Sequence, residues 1–224
     1  MNDKYFAIAL DGPSGSGKST IAKILSRELN ILYLDTGAMY RATALKAIKS
    51  GIDCLDEKGV STFINDIDLK IEYRNGTQYT ILDGVDVSTD IRKNEVSMQA
   101  SNISSLKCVR LKMVDLQREI AKQMSCVLDG RDIGSYVLPD AKYKFFITAS
   151  IEERVERRYQ NLISQYPDIT REEIKQSLLE RDYNDSHREF APLKKADDAI
   201  VVDTSMMTID EVVAFVMSKI NEVK

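Results

Sequence analysis

Residues 7 to 20 read Ala7-Ile8-Ala9-Leu10-Asp11-Gly12-Pro13-Ser14-Gly15-Ser16-Gly17-Lys18-Ser19-Thr20. An apolar run breaks into a glycine-rich loop and restarts as a helix, so strand, loop and helix must follow one another within a few residues. No other stretch limits the possible folds so sharply. The spacing from Gly12 through Gly17 and Lys18 to Ser19 satisfies G-x-x-x-x-G-K-[ST] in full. Such glycines let backbone N–H groups curve around phosphate oxygens, and the helix beyond points its positive end at the same anion. Lys18 can reach the β and γ phosphates, and Ser19 offers a hydroxyl to Mg²⁺. The loop from Gly12 to Thr20, including Pro13, Ser14, Gly15 and Ser16, is therefore a site for a nucleoside triphosphate. A chance match in a chain of this length has odds of roughly one in a hundred. Its setting lowers them further, because Ile21, Ile24, Leu25 and Leu29 continue the helical face.

At 224 residues the chain can build one sizeable α/β core with a small appendage, or two modest domains. No apolar run approaches the ~20 residues that span a bilayer, which excludes a membrane-spanning protein. The net charge of −4 argues against a broad basic surface and so against a nucleic-acid-binding module. Cys54, Cys108 and Cys126 form an odd set without C-x-x-C spacing, as expected of reduced thiols. His187 is the only histidine, which disfavours a zinc cluster. Met1-Asn2-Asp3-Lys4 runs directly into the first strand with no leader-like segment, so a cytoplasmic protein is expected.

Further along, Ile31 to Leu34 reads as a strand, and Asp35-Thr36-Gly37 turns it into a helix carrying Met39, Tyr40 and Arg41 that ends near Gly51. A short helical stretch from Gly59 to Ile67 precedes a change of period. Leu69, Ile71 and Tyr73 alternate with charged residues, Asn75-Gly76 supplies a hairpin turn, and Tyr79 and Ile81 resume the alternation. Asp83-Gly84 is another turn before Val85 and Val87, so residues 68 to 88 predict an inserted antiparallel meander. Leu106, Val109, Met113, Leu116 and Ile120 form a helical core stripe. Cys126 to Leu128, Tyr143 to Thr148 and Ala199 to Val202 read as further strands. Ser150 with Glu153, Thr170 with Glu173 and Thr208 with Glu211 have capping-box spacing at helix starts. Repeated βα units imply a parallel sheet with helices on both faces, and Asp129-Gly130-Arg131-Asp132 falls at the carboxyl end of a strand, where such sheets place ligand groups.

Arg154, Arg157 and Arg158 stand at i, i+3 and i+4, which predicts three guanidinium groups on one helical face. Such a run is ordinarily a solvated surface, but beside a triphosphate it matches the charge that phosphoryl transfer spreads over oxygens. Arg181, Asp185 and Arg188, with Asp182, form a second face in which helix ion pairs can account for Arg181 and Asp185. Together with Arg41, Arg110 and Arg131 they exceed the needs of packing and suggest a second anion opposite the first.

These residues resemble the bacterial cytidylate kinases, nucleoside monophosphate kinases of the P-loop class. The stretches that carry the resemblance are Asp11 to Lys18, Leu34-Asp35-Thr36-Gly37-Ala38-Met39-Tyr40-Arg41, Asp129-Gly130-Arg131-Asp132-Ile133-Gly134, and Arg181-Asp182 through Arg188 to Ala191-Pro192-Leu193. The resemblance implies an α/β three-layer P-loop fold with a five-stranded parallel sheet, an inserted antiparallel β lobe and a helical lid. It implies one domain over 1–224, with a core at about 1–35, 104–150 and 190–224, a monophosphate lobe at about 36–103 including the insert, and a lid at about 151–170. The activity implied is ATP-dependent phosphorylation of CMP and dCMP in pyrimidine nucleotide metabolism, by a cytoplasmic monomer.

By the same resemblance Thr36, Arg110, Asp132 and Arg188 read cytosine, and Ser101, Arg181 and Asp185 hold the ribose. Arg41 and Arg131, with Tyr40 beside them, serve the monophosphate, and Arg154, Arg157 and Arg158 lie in the lid as catalytic groups with Lys18 and Arg131. Thr36 stands where the family often has serine and keeps its hydroxyl. Mg²⁺ would take Ser19 as its direct protein contact and Asp35 or Asp129 through water. Cytosine presents an amino donor and ring acceptors, so a carboxylate such as Asp132 and a donor such as Arg110 are complementary to it. The plain alternative for Asp132 is an ion pair with Arg131. Two other functions stay open at this point: a kinase for UMP or AMP, and a P-loop regulatory NTPase that hydrolyses its nucleotide.

Overall fold

The computed structural model describes residues 5–74 and 76–222. The approach Met1 to Lys4 and the turn residue Asn75 lie outside the described residues. The elements run β1 (Ala7–Asp11), α1 (Lys18–Leu29), β2 (Leu32–Asp35), α2 (Thr36–Lys49), α3 (Glu57–Ile64), β3 (Leu69–Arg74), β4 (Thr77–Leu82) and β5 (Val85–Asp86). They continue with α4 (Asn94–Ile103), α5 (Lys107–Gln123), β6 (Cys126–Gly130), a π-helical turn (Ile133–Val137), β7 (Tyr143–Thr148), α6 (Ile151–Leu162), α7 (Arg171–His187), β8 (Ile200–Asp203) and α8 (Ile209–Glu222).

The five expected parallel strands form one sheet in the order β2-β6-β1-β7-β8, and β3-β4-β5 form the separate antiparallel sheet. Alternation along β1 divides the core. Ala7 and Ala9 share a core with residues of α2 and α5, whereas Ile8 and Leu10 pack with Ile21, Ala22 and Leu25 of α1 and Val212, Val216 and Ile220 of α8. The insert docks on the edge strand β2: the Tyr73 hydroxyl donates to the Tyr33 carbonyl at 2.9 Å, and Gln78 Oε1 accepts from the Asp35 N–H at 2.8 Å. Helices α6 and α7 form a hairpin with its own small core of Val155, Ile174 and Leu178.

Two local expectations need correction, and one element was not foreseen. Ser150 caps α6 by accepting from the Glu153 N–H, but the reciprocal bond is missing because the Ser150 N–H donates to Ser205 Oγ at 2.8 Å. The full capping box forms at Thr170 and Glu173. On α5 the buried face runs through Val109, Arg110, Met113, Val114, Gln117 and Ala121, so Leu116 and Ile120 sit at its margin and two polar residues lie within it. Finally, α4 falls in a stretch where the sequence offered no strong period.

Candidate active site

All five strands are parallel, so their carboxyl ends share one rim. There β1 ends at Asp11 and β2 at Asp35, while the register sets Asp35 opposite Asp129 and Asp11 opposite Gly130. The loop leaves β1 beneath β7: Gly12 has φ 143°, and a Cβ on it would stand 1.9 Å from the Ile147 carbonyl oxygen, so only glycine passes. Asp11 is buried and accepts from the N–H groups of Ile133 and Gly134, both at 2.7 Å. Burial pushes its carboxyl up to about 6 against those two bonds. Asp11 thus ties the phosphate loop to the turn that carries Asp132, a role that sequence reasoning passed over although the residue's place at a strand end hinted at it.

Lys18 is also buried. Its Nζ donates to the Pro13 carbonyl at 2.6 Å and to Ser16 Oγ at 3.2 Å. Burial, and then Arg131, draw its ammonium well below the ordinary lysine range, with Asp129 and Asp11 opposing. Ser19 Oγ donates to Asp129 Oδ2 at 2.5 Å and the Tyr33 hydroxyl to Oδ1 at 3.2 Å. Burial and the neighbouring Asp35 push Asp129 up to about 6, with Ser19 and Lys18 working the other way.

Opposite the loop, the Asp35 carboxylate caps α2 through the Ala38 N–H at 2.9 Å and pairs with Arg41 at 2.8 Å. The Thr36 hydroxyl donates to the Asp129 carbonyl at 2.6 Å, which leaves its oxygen free to act only as an acceptor. Arg110, 1% exposed, donates to Asp132 Oδ2 at 2.5 Å, and Arg188 donates to Oδ1 at 3.3 Å. The Arg110 guanidinium lies 5.4 Å from the Tyr40 ring centroid. Arg188 is steadied by Nε donating to the carbonyl of Ala191, a residue turned to φ 49°. Arg131 pairs with Asp185 at 2.7 Å, so the ion-pair alternative for Asp132 is satisfied elsewhere. Arg181 stands beside the loop, Nη1 3.4 Å from Ser14 Oγ, and burial with Arg131 lowers it to about 10. Ser101 Oγ and the Nε atoms of Arg41, Arg110 and Arg181 are buried without hydrogen-bond partners.

The three arginines of α6 all reach the loop, as their spacing predicted, but at different points, Arg157 donating to the Ser16 carbonyl at 3.5 Å. Arg154 donates to the Ser14 carbonyl at 3.1 Å and to Asp182 at 2.5 Å, and Arg157 turns to Thr204, donating to its hydroxyl at 3.0 Å and its carbonyl at 2.7 Å. Arg158 alone lines the clefts on both sides of the loop. The helix packs against the loop along its axis, so side chains one turn apart meet different partners. Asp182 and Thr204 were not identified as partners from the sequence, because each is recruited from a distant segment.

Two clefts meet at the phosphate loop. One, of about 250 Å³, contains Thr36, Arg41, Arg110, Asp132 and Arg188. The other, of about 710 Å³, contains Thr20, Arg157, Thr204 and Met207. Ser14, Gly15, Lys18, Ser19 and Arg158 line both. Residues 8–222 match the family model for cytidylate kinase. The chain belongs to the cytidylate kinase family. It is 51% identical over 214 residues to the cytidylate kinase of Clostridioides difficile (strain 630), covering 96% of this chain and 97% of that one. It is 45% identical to that of Caldicellulosiruptor bescii over 96% and 95%, and 42% identical to that of Bacillus cereus (strain B4264) over 99% and 98%.

Among solved structures, an uncharacterized protein from Eubacterium ventriosum ATCC 27560 is similar at TM-score 0.53 and 13% identity, over 96% of this chain and 98% of that one. A gluconokinase from Sinorhizobium meliloti 1021 is similar at TM-score 0.50 and 13% identity, over 98% and 95%. These two likenesses concern the fold. For a cytidylate kinase family member the two-cleft arrangement is apt, because both clefts reach the lysine and serine of one loop. Of the residues expected at the monophosphate side, Thr36, Tyr40, Arg41, Ser101, Arg110, Arg131, Asp132, Arg181, Asp185 and Arg188 all line the smaller cleft.

Proposed function

We propose that the chain transfers the γ-phosphoryl group of ATP to CMP, and to dCMP, releasing ADP. The observation that carries this reading is the buried Arg110–Asp132–Arg188 cluster in the cleft that shares Lys18 and Ser19 with the cleft across the loop. Asp132 and the Thr36 oxygen are acceptors suited to the cytosine amino group, and Arg110 and Arg188 are donors suited to its ring nitrogen and carbonyl. The relatives named as cytidylate kinases support the same substrate.

In this reading an oxygen of the CMP phosphate attacks the γ-phosphorus in line, the bond to the β–γ bridging oxygen breaks, and that oxygen leaves with ADP. The acceptor is already an anion, so no general base is required, and the chain's work is positioning and charge stabilisation. Arg41 and Arg131 hold the acceptor phosphate, while Ser101, Arg181 and Asp185 hold the ribose. Lys18 exchanges its bond to the Pro13 carbonyl for the β and γ oxygens of ATP. Arg158, which lines both clefts, faces the charge that develops between the two nucleotides. Arg154 and Arg157 fix the loop through its carbonyls, and residues 151–170 close over it as a lid.

The oxygen donors of Ser19 and Asp129 fit Mg²⁺, with Asp35 adjacent. When bound, the ion would neutralise charge on the triphosphate. Among the described residues no helix is long and apolar enough to cross a membrane, and Cys54, Cys108 and Cys126 are free thiols. A monomeric, cytoplasmic enzyme acting on free nucleotides is part of this proposal. The test is ADP release with ATP and a panel of CMP, dCMP, UMP and AMP. Dependence on CMP or dCMP is expected, whereas phosphate release from ATP alone would identify a regulatory NTPase.

A further inference from the structure

Gln117 lies on the buried face of α5, two helical turns beyond Arg110, and lines the same cleft. It is 1% exposed, and neither Oε1 nor Nε2 makes a hydrogen bond of good geometry, the Tyr40 hydroxyl being the near neighbour of the amide. Burial raises the Tyr40 phenol and hydrogen bonding from the Gln117 amide works the other way, while the Arg110 guanidinium lies over the same Tyr40 ring. A buried amide whose carbonyl end is left unmatched is unfavourable in a core position, where an apolar side chain of the same volume would pack without loss. Its presence there is accounted for if a ligand completes it.

The groups at the base end are fixed in polarity: Asp132 and Thr36 accept, Arg110 and Arg188 donate. Gln117 is different, because half a turn about its terminal torsion exchanges a carbonyl for an amino group. We propose that Gln117 is a specificity-determining residue that reads the exocyclic 4-substituent of the pyrimidine. Oε1 shares with the Thr36 oxygen one of the two hydrogens of the 4-amino group of a cytidine monophosphate, Asp132 taking the other, and the flipped amide donates from Nε2 to the 4-oxo group of a uridine monophosphate. Gln117 therefore sets the extent to which a 4-oxo base is tolerated in a pocket otherwise built for a 4-amino base. This inference rests on the base-pocket reading of the Arg110–Asp132–Arg188 cluster.

The experiment measures kcat and KM for CMP and UMP, KM for ATP, and the thermal midpoint without ligand, in the wild type and in Gln117→Glu, Gln117→Leu and Asp132→Ala. Gln117→Glu keeps an acceptor and deletes the donor, so the CMP-to-UMP ratio of kcat/KM rises by about tenfold, one hydrogen bond's worth. Gln117→Leu deletes both, so KM for CMP rises by at least about fivefold with KM for ATP unchanged, and the unliganded midpoint does not fall. A ratio within about twofold of wild type in Gln117→Glu, with Asp132→Ala still shifting it, overturns the role of Gln117 alone. An unchanged ratio in both overturns the base pocket and this inference with it. A lowered midpoint in Gln117→Leu with KM for CMP unchanged would make the residue merely structural.

Discussion

Lys18 donates to the Pro13 carbonyl from a buried position, so its ammonium is held by the loop's own backbone, a bond that the proposed phosphoryl transfer would exchange for phosphate oxygens. Lys18→Ala should lower kcat by about a hundredfold to a thousandfold. Its thermal midpoint should stay close to wild type, because the change also removes a desolvated charge; near-normal turnover would overturn the assignment. Asp129 bears on stability. Its folded carboxyl titrates at about 6 against 3.8 for the ordinary group, so the ionised form is the penalised one. The stability linked to this group is fully present below about pH 4 and is lost as pH rises through about 6. Asp129→Asn should therefore be more stable than wild type at pH 7.5, by up to about 3 kcal/mol, and the gap should close toward pH 4.5 in urea titrations. Asp132 tests base choice: UMP would set a carbonyl against its carboxylate, so CMP should lead in kcat/KM by at least about tenfold. In Asp132→Ala the ratio should fall toward one, chiefly through loss of CMP activity.

The α6–α7 hairpin contacts the phosphate loop through Arg154 and the end of β8 through Arg157, while its own core is only three buried residues deep. Few buried apolar contacts and side-chain tethers to a ligand-binding loop are the properties of an element that opens at low free energy. A bisubstrate analogue joining adenosine to cytidine through phosphates should slow amide exchange over residues 150–170, and over α7 as well because the two helices pack together. Unchanged exchange there would reject the lid. The β insert is anchored at the opposite side, since Gln78 bonds the backbone of Asp35 and Asp35 in turn holds Arg41. That chain of contacts gives the inserted sheet a direct purchase on the cleft that Arg41 lines.

The molecule as a whole depends on the two cores that flank one sheet. Phe145, 1% exposed on β7, packs with Ile8, Leu10 and Val216 on the α1 and α8 side, away from the clefts. Phe145→Ala should cost about 3 to 5 kcal/mol in denaturant titrations. At temperatures where the variant stays folded, KM for CMP and ATP should be unchanged, because the strand ends that carry the site are held by β1 and β6. A large KM change would mean that core and site are more tightly coupled than the layer arrangement implies.

Features governed by neighbouring residues are legible in the amino-acid sequence by itself: the phosphate loop, the five βα strands, the meander over 68–88, and the caps at Thr170 and Thr208. Backbone preferences and the periods of burial act over a few residues, so they leave their mark in short stretches. The direction of each charged side chain does not. Arg131 pairs with Asp185 across 54 positions, Arg154 with Asp182 across 28, and Arg157 with Thr204 across 47. Asp11 finds its partners 122 and 123 positions away, and the α5 face buries Arg110 and Gln117 beside the expected apolar stripe. Those outcomes follow from which segments the sheet brings to its carboxyl rim, where buried polar groups must take whatever partners the packing supplies.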